Sequence, residues 1–590
     1  MKVGEWFCPE GLRSNRELVG TKENKATTMS TLSQQPKRSR MIREFLLPAL
    51  AFLSLPLLAG PGQKFYPDDP IATEPETQNA TGAAPWKIDL FYDLMLNQFA
   101  HPGESARPRA MNVNTIDEVP DSSWFTNRIL SRRVSLEEAV RGPLTSDGPV
   151  PGKWTVIRAK NEGAAPGFTI RDSAGVTWFI AFDPKSNPEG ATGAAVVAMR
   201  IFWALGYFQA EYHISRLRRE QLEIDPEAKF IPASGRQRSM TLHDIEPVLE
   251  RGARDSDGSY RVLASRLLPG KILGGFKYYG TRPDDPNDVV PHEHRRELRA
   301  LHVFGAWTNL VDIKAQNTMD TLITENGKSR VRHYLLDVGS TFGIGANGPH
   351  DYTEGYEYLF EGDKTLKRAA SFGFYLQPWQ TISYQEHPAI GRFEGTRFEP
   401  DAWKSRVPAA ALLRSLDDDN FWAARRVAAF SDELIRAIVK AGKYSDPAAE
   451  KLLADVLIAR RNKISQTYLT RINPVVAPVV HASGELTFAN AAVDAGVASP
   501  PASYSVTWSA LDNATGATKV IGETKSGSNR VPTPAGLTAA GNFVVADIRA
   551  GDAKYPSWSK PVRATFRRTS SGWGLVALER EIDAPGAPPK

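Results

Sequence analysis

Apolar and polar positions divide the chain into stretches of clearly different period. Between Trp154 and Phe182, WTVIRAK (154–160), FTIRD (168–172) and VTWFIAF (176–182) carry the β-branched and aromatic content of short strands. NEGAAPG (161–167) and SAG link them as hairpin turns, and Ala194–Leu205 follows as a predicted helix. Residues 208–300 alternate strand-like and charged runs, among them YRVLASRLLPGKILGGFKYYG (260–280). A helix with Pro291 near its start then contains Glu297, Arg299 and Leu301. Two apolar runs around the polar turn Thr324–Ser329 predict a β-hairpin. Residues 408–468 have helical spacing: FWAARRVAAFSDELIRAIVKAG reads as one helix stopped by Gly442, and an Asp-Pro start opens another. From about Asn473 the period returns to strands broken by Gly, Asn, Ser and Pro, a small antiparallel β domain of sandwich type.

The N-terminal stretch has a different character. Phe45–Ala59 is a 15-residue apolar run preceded by Lys37, Arg38, Arg40 and Arg43, the layout of a secretory signal peptide too short to span a bilayer comfortably. Residues 1–60 are therefore read as leader and signal peptide, with an uncleaved membrane anchor as the alternative, and the body as periplasmic or secreted. The Pro-, Asp- and Thr-rich residues 61–85 read as a linker. Residues 86–150 form an N-terminal extension, with a helix at about Trp86–Phe99 and a packed, aromatic-rich loop at Asn112–Ile129.

Composition narrows the chemistry. A net charge of +5 over 590 residues, with no long Lys/Arg block in the body, does not suggest a nucleic-acid partner. The single cysteine, Cys8, lies in the leader, so no disulfide, C-x-x-C zinc site or cysteine nucleophile is expected after it. His292, Glu293 and His294 lack the H-E-x-x-H spacing and are predicted to be capping or surface residues. Asp417–Asp419 are predicted to compensate a helix dipole, and Trp508, Trp558 and Trp573 to pack in a core.

The hairpin carries the chemical signal. Asp312, Lys314 and Asn317 stand at its entrance as D-x-K-x-x-N, and Asp337 stands at its exit in LLDVG. Phosphoryl transfer needs a carboxylate for the acceptor hydroxyl and two oxygen ligands for a cation on the nucleotide phosphates. The spacing resembles the protein-kinase-like superfamily, with Asp312–Asn317 as the catalytic loop and Asp337-Val338-Gly339 as the D-F-G segment. The resemblance implies an α+β fold: a two-lobed kinase-like domain over 151–472, with a β-rich N-lobe and a helical C-lobe, and the β-sandwich at 473–590. It also implies ATP with Mg²⁺ or Mn²⁺, Asp312 and Lys314 as catalytic residues, Asn317 and Asp337 as metal ligands, and Gly163 and Gly167 over the phosphates.

The sequence departs from that family in three places. Ala181 stands where a strand lysine is usual, and the following helix, GAAVVAMRI, has no acid. The nearest substitutes, Lys185 and Glu189, lie in the connecting loop. Leu310-Val311 replaces His-Arg before Asp312, so the loop is more similar to the spore-coat, HipA-type and secretory-pathway branches. These departures support an alternative, a catalytically inactive kinase-like scaffold or cell-envelope binding protein. A carbohydrate-binding or adhesive role for the β domain is a third reading. The acceptor, whether protein, lipid, glycan or small molecule, is not encoded in any recognisable motif.

Overall fold

The computed structural model describes residues 63–132, 134–159, 166–232, 235–371, 374–385 and 387–582. Within them the chain mixes helices with several separate sheets. Helix α1 (Leu90–Phe99) starts later than its apolar pattern predicts, because Asp89 caps it by accepting the Tyr92 N–H. Strands β1 (Trp154–Ala159), β2 (Gly167–Arg171) and β3 (Thr177–Phe182) form an antiparallel meander. Helix α2 (Gly190–Leu205) is buried on nearly every side, as a helix apolar all round must be. Strands β4 (Tyr212–Leu217), β5 (Leu222–Ile224) and β6 (Tyr260–Arg266) complete a six-stranded sheet in the order β4-β6-β3-β2-β1-β5. Trp154, Ile170, Trp178 and Val262 pack one face of it into a core of its own.

The chain then changes sheets. Strand β7 (Lys271–Gly274) joins the predicted hairpin, and helix α3 (Leu301–Thr308) intervenes before β8 (Thr318–Glu325) and β9 (Lys328–Leu335), giving the order β9-β8-β7. The hairpin turn is Asn326-Gly327, both at positive φ (52° and 76°). That is the conformation whose twist matches paired strands, and Asn-Gly adopts it most readily.

Helices α4 (Asp417–Ala428), α5 (Asp432–Lys440) and α6 (Pro447–Leu469) follow. The single helix expected over this stretch is two, because the Ser431 side chain accepts the Leu434 N–H and starts α5 afresh. The C-terminal strands β10 (Val475–His481), β11 (Glu485–Asn490), β12 (Ser503–Leu511), β13 (Thr518–Ser526), β14 (Arg530–Pro532), β15 (Phe543–Gly551), β16 (Val562–Thr569) and β17 (Gly572–Arg580) make two sheets, β10-β11-β14 and β13-β12-β15-β16-β17. Trp508 and Trp558 are fully buried, while Trp573 is half-buried with the Arg568 guanidinium 4.5 Å from its ring centre.

Three expectations need correction. The stretch read as a linker is fastened down: Phe65 is buried beside Phe543, Ala80 N–H donates to Ser329 O (2.9 Å), and Ala84 N–H donates to Asp284 Oδ2 (2.8 Å). His292, Glu293 and His294 are not at the surface but in the core. His292 Nε2 lies 2.8 Å from Asp288 Oδ2, and His294 Nε2 lies 3.0 Å from Glu104 Oε2. The Asp417–Asp419 run does more than face a helix dipole. Asp418 and Asp419 are fully buried against Arg296, which reaches them at 2.9 and 3.0 Å, and Asp419 also caps α4 through the Leu416 N–H. Charges enter a core when each finds a partner, and these partners come from distant segments.

Candidate functional site

The site is assembled by the backbone between α3 and β8. Helix α3 ends at Asn309, which takes the left-handed conformation (φ 55°, ψ 40°) that asparagine tolerates at a helix end. The chain then runs extended, and alternate side chains face opposite ways. Val311, Ile313 and Ala315 go into the core, so Asp312 and Lys314 share the other side. Lys314 Nζ lies 3.0 Å from Asp312 Oδ1. One 3₁₀ turn (Ala315–Asn317) brings Asn317 back, and its amide Nδ2 donates to Asp312 O (2.7 Å) and Asp312 Oδ2 (3.0 Å). Spending the nitrogen this way leaves the Asn317 carbonyl oxygen as the end suited to a cation.

The far end of the hairpin closes on the same point. Leu336 N–H and Asp337 N–H both donate to Asn317 O (2.9 and 3.1 Å), and Tyr212 OH donates to Leu336 O. Asp337 is exposed, with Oδ1 accepting the Gly339 N–H at 2.9 Å. Gly339 passes alongside α2, where a Cβ would make ordinary contact with the Ala195 Cβ at 3.4 Å. Asp312, Lys314, Asn317 and Asp337 are therefore gathered in one place.

Asp312 has a partner that no local motif predicts. Arg406 Nη1 lies 3.0 Å from Asp312 Oδ1, and Arg406 also donates to Glu354 Oε1 from Nε (3.1 Å) and Nη2 (2.7 Å). Two further bonds hold the Arg406 segment beside the loop: Arg406 N–H to Val311 O (2.7 Å) and Trp403 Nε1 to Asn309 Oδ1 (2.9 Å). Burial pushes the Asp312 carboxyl up, but Arg406, Lys314 and Asn317 outweigh it and hold the group down at about 2. Asp312 is a carboxylate at any physiological pH.

Glu354 extends the network. Its Oε2 lies 3.4 Å from His350 Nδ1, and His350 Nε2 lies 3.0 Å from Ser340 Oγ. Burial, aided by Arg406, drops His350 to about 3, so its ring is neutral. Burial raises Glu354 above its usual range against the pull of Arg406. Arg406, Glu354, His350 and Ser340 belong to this network, and the sequence signals none of them individually.

The remaining predicted residues do not join it. Gly163 lies outside the described residues. Gly167 opens β2, where a Cβ would stand 2.4 Å from the Ile180 carbonyl oxygen, so the close approach of two strands accounts for it. Lys185 and Glu189 do not make the substitute ion pair. Lys185 is exposed, whereas Glu189 Oε2 accepts from Ser445 N (2.8 Å) and Ser445 Oγ (3.0 Å), with its Oε1 3.8 Å from Arg261 Nη1. Among the described residues no Lys–Glu ion pair joins β3 to α2. Buried Asp183 ties α2 to the sheet instead, accepting from Thr192 N (2.8 Å) and Thr192 Oγ1 (2.7 Å).

An amide oxygen on Asn317 and a carboxylate on Asp337, whose backbones are hydrogen-bonded to each other, are the donor types suited to a hard cation that takes its other ligands from phosphate and water. Among the described residues no group of three or more His, Cys, Asp and Glu side chains could hold a metal by itself.

No family model and no curated protein matches the chain. Among solved structures, the chain is similar to the Golgi casein kinase with Mn/ADP bound, at a TM-score of 0.26 and 9% identity over 56% of this chain and 76% of that one. A second structure of the Golgi casein kinase gives a TM-score of 0.24 and 9% identity over 58% and 78%. At these TM-scores the two likenesses leave the assignment to the geometry of the site itself.

Proposed function

We propose that this chain is an exported, ATP-dependent phosphotransferase of the protein-kinase-like class. Its six-stranded sheet with α2 acts as the N-lobe, the helices from α3 to α6 as the C-lobe, and residues 473–590 as an appended β-sandwich. One observation carries the reading: the Asn317 side chain is bonded to Asp312 while its backbone oxygen is bonded to Leu336 and Asp337. The Asp312 and Asn317 side chains at one end of the hairpin are thereby locked together, and the backbone that carries Asp337 at the other end is fastened beside them. Turn chemistry alone gives no reason for that.

In this reading Asp312, ionised and held by Arg406 and Lys314, orients the acceptor hydroxyl and receives its proton. Lys314 offsets charge on the transferred phosphoryl group. Asn317 Oδ1 and the exposed Asp337 carboxylate would hold Mg²⁺ or Mn²⁺, which would supply positive charge to offset that of the nucleotide phosphates. These are positioning and electrostatic roles, the main sources of rate in this chemistry. The acceptor is a protein, glycan, lipid or small molecule, and export rests on the Phe45–Ala59 segment, outside the described residues.

The expected result is a Mn·ATP-dependent rise in melting temperature and transfer of label from ATP, both lost in Asp337→Ala. Wild-type labelling by purified Asp337→Ala would sink the proposal. The missing strand lysine and the acid-free α2 favour a second reading, an inactive scaffold of the same fold. A chain that melts identically with and without Mn·ATP or Mg·ATP decides for that scaffold.

A further inference from the structure

Helix α1 is turned inside out. The residues it buries are polar, Asp93, Asn97 and Gln98, whereas Phe91, Tyr92 and Phe99 are exposed. A surface helix ordinarily does the reverse. At its first turn a cavity of about 160 Å³ opens against the segment that follows β7. A cavity of about 150 Å³ accepts one six-membered ring. None of the residues that line it belongs to the Asp312 network.

Its walls are held in place. Asp93 is 5% exposed, and its Oδ1 accepts the Tyr279 hydroxyl (2.9 Å). Trp86 Nε1 donates to Gly275 O (2.8 Å). Lys277 Nζ lies 5.8 Å from the Trp86 ring centre and 5.3 Å from that of Tyr279. Tyr92, 62% exposed, leaves an open aromatic face at the rim.

These walls select among ligands. Their charges balance, Asp89 and Asp93 against Lys87 and Lys277, so a ligand of either net charge meets as much repulsion as attraction. A cation is opposed further, because Lys277 already lies over two of the rings. The helix offers an anion little, since the Tyr92 N–H already donates to Asp89 Oδ1 (2.9 Å). A purely apolar ring would take water from Asp93 and Lys277 and return no hydrogen bond. A neutral polyhydroxylated ring meets all of these demands: its hydroxyls donate to Asp93 and accept from Lys277, and its C–H face lies on Tyr92. Burial raises the Asp93 carboxyl, and Tyr279 and Lys277 offset this only in part, so the ionised form gains from a further hydroxyl donor.

We propose that this cavity binds a neutral pyranose ring, free or within a glycan chain, with Tyr92 against the ring face and Asp93 and Lys277 on its hydroxyls. The site is separate from phosphoryl transfer and stands whether or not the chain transfers phosphate. It borders the Asp312 loop all the same: buried Tyr278 is raised by burial and then by both Asp312 and Asp93.

The experiment screens the full chain, without nucleotide, on an array of neutral and uronate-bearing glycans. Retained sugars are then titrated in solution by saturation-transfer NMR as trisaccharides and as methyl pyranosides, with choline as the cationic control. Neutral glycans are expected to bind. Tyr92→Ala should weaken them about tenfold and Asp93→Asn about tenfold, while Tyr92→Phe keeps wild-type affinity. The Tyr92 variants change an exposed ring and should melt as wild type, so that pair decides the matter even if Asp93→Asn unfolds. A trisaccharide that binds more tightly than its methyl pyranoside identifies a glycan chain as the source, and equal affinities identify the free sugar. Binding by uronates or choline alone, or an array that retains no neutral glycan, overturns the proposal. Wild-type affinity in Tyr92→Ala overturns it as well, by placing the binding elsewhere in the chain.

Discussion

Replacing Arg296 by methionine is expected to lower the unfolding free energy by about 3–5 kcal/mol, the usual consequence of removing one partner from a buried charge cluster. Arg296 is fully buried, and all three of its nitrogens are engaged. Nη1 donates to Asp117 Oδ1 (2.7 Å) and Asp117 O (2.8 Å), Nη2 to Asp418 Oδ2 (2.9 Å), and Nε to Asp419 Oδ1 (3.0 Å). It thus clamps the loop before β1 to the start of α4, across the underside of the helical region. Methionine fills much of the same volume, so the loss measures charge rather than cavity. Arg109 stays 2.9 Å from Asp418, and Arg299 stays 3.2 Å from Asp419, which keeps the variant from being left with bare carboxylates. Burial and the adjacent Asp418 already push Asp419 up, so a neutral Asp419 relieves part of the damage. Urea midpoints of Arg296→Met and of Arg296→Met with Asp418→Asn and Asp419→Asn check this. The triple change should recover part of the loss. A single-variant midpoint within about 1 kcal/mol of wild type, a surface-like value, would mean the cluster is not what joins these segments.

The parts legible in the sequence were those governed by local rules. A two-residue Asn-Gly turn between apolar runs specifies a hairpin wherever it occurs, and the hairpin fixes where Asp312, Asn317 and Asp337 emerge. Period-two alternation across Val311–Ala315 puts Asp312 and Lys314 on one side without help from the rest of the fold. The buried charges were illegible for the opposite reason. In HEHRRELR five of the eight residues are charged, which reads as a solvated helix start. The deciding partners are Glu104, Asp117, Asp288, Asp418 and Asp419, four of them more than a hundred residues away in sequence. The stretch 63–85 misled in the same way: its Pro- and Asp-rich composition suits a linker, yet single anchors such as Phe65 and Ala80 suffice to pin it. Arg406 had no signal of its own, because a guanidinium that completes a site from another segment is indistinguishable in sequence from one on the surface.

Arg406 is the residue whose loss is expected to damage the site most without touching the four residues of the motif. In Arg406→Met, Asp312 keeps Lys314 and Asn317 but loses the largest of the attractions that hold its carboxyl at about 2. Burial, the strongest influence on it, then acts with less opposition, and the carboxyl rises; Glu354, already raised, rises further. In the wild type, Asp312 has a folded-state value below the unfolded one of about 3.9. Its contribution to stability is therefore complete above about pH 4 and is lost as the pH falls through about 2. In the variant Asp312 loses part of that depression, so it contributes less stability above about pH 4, and Glu354, which binds protons more readily folded than unfolded, costs stability as the pH rises. The gap between wild type and variant should thus be widest near neutral pH and shrink toward about pH 4. Arg406 is 27% exposed, so the gap near pH 7 is set at about 1–3 kcal/mol rather than the full buried-pair value. Urea midpoints at both pH values read it directly, whatever reaction the protein performs. A gap that is flat or grows on acidification would refute Arg406 as the group holding Asp312 ionised. Transfer activity should fall about 100-fold through misplacement of Asp312, with its acid limb moved to higher pH. Arg406→Lys restores charge but not the two-carboxylate fork, and should recover the pH dependence of stability while recovering little of the rate.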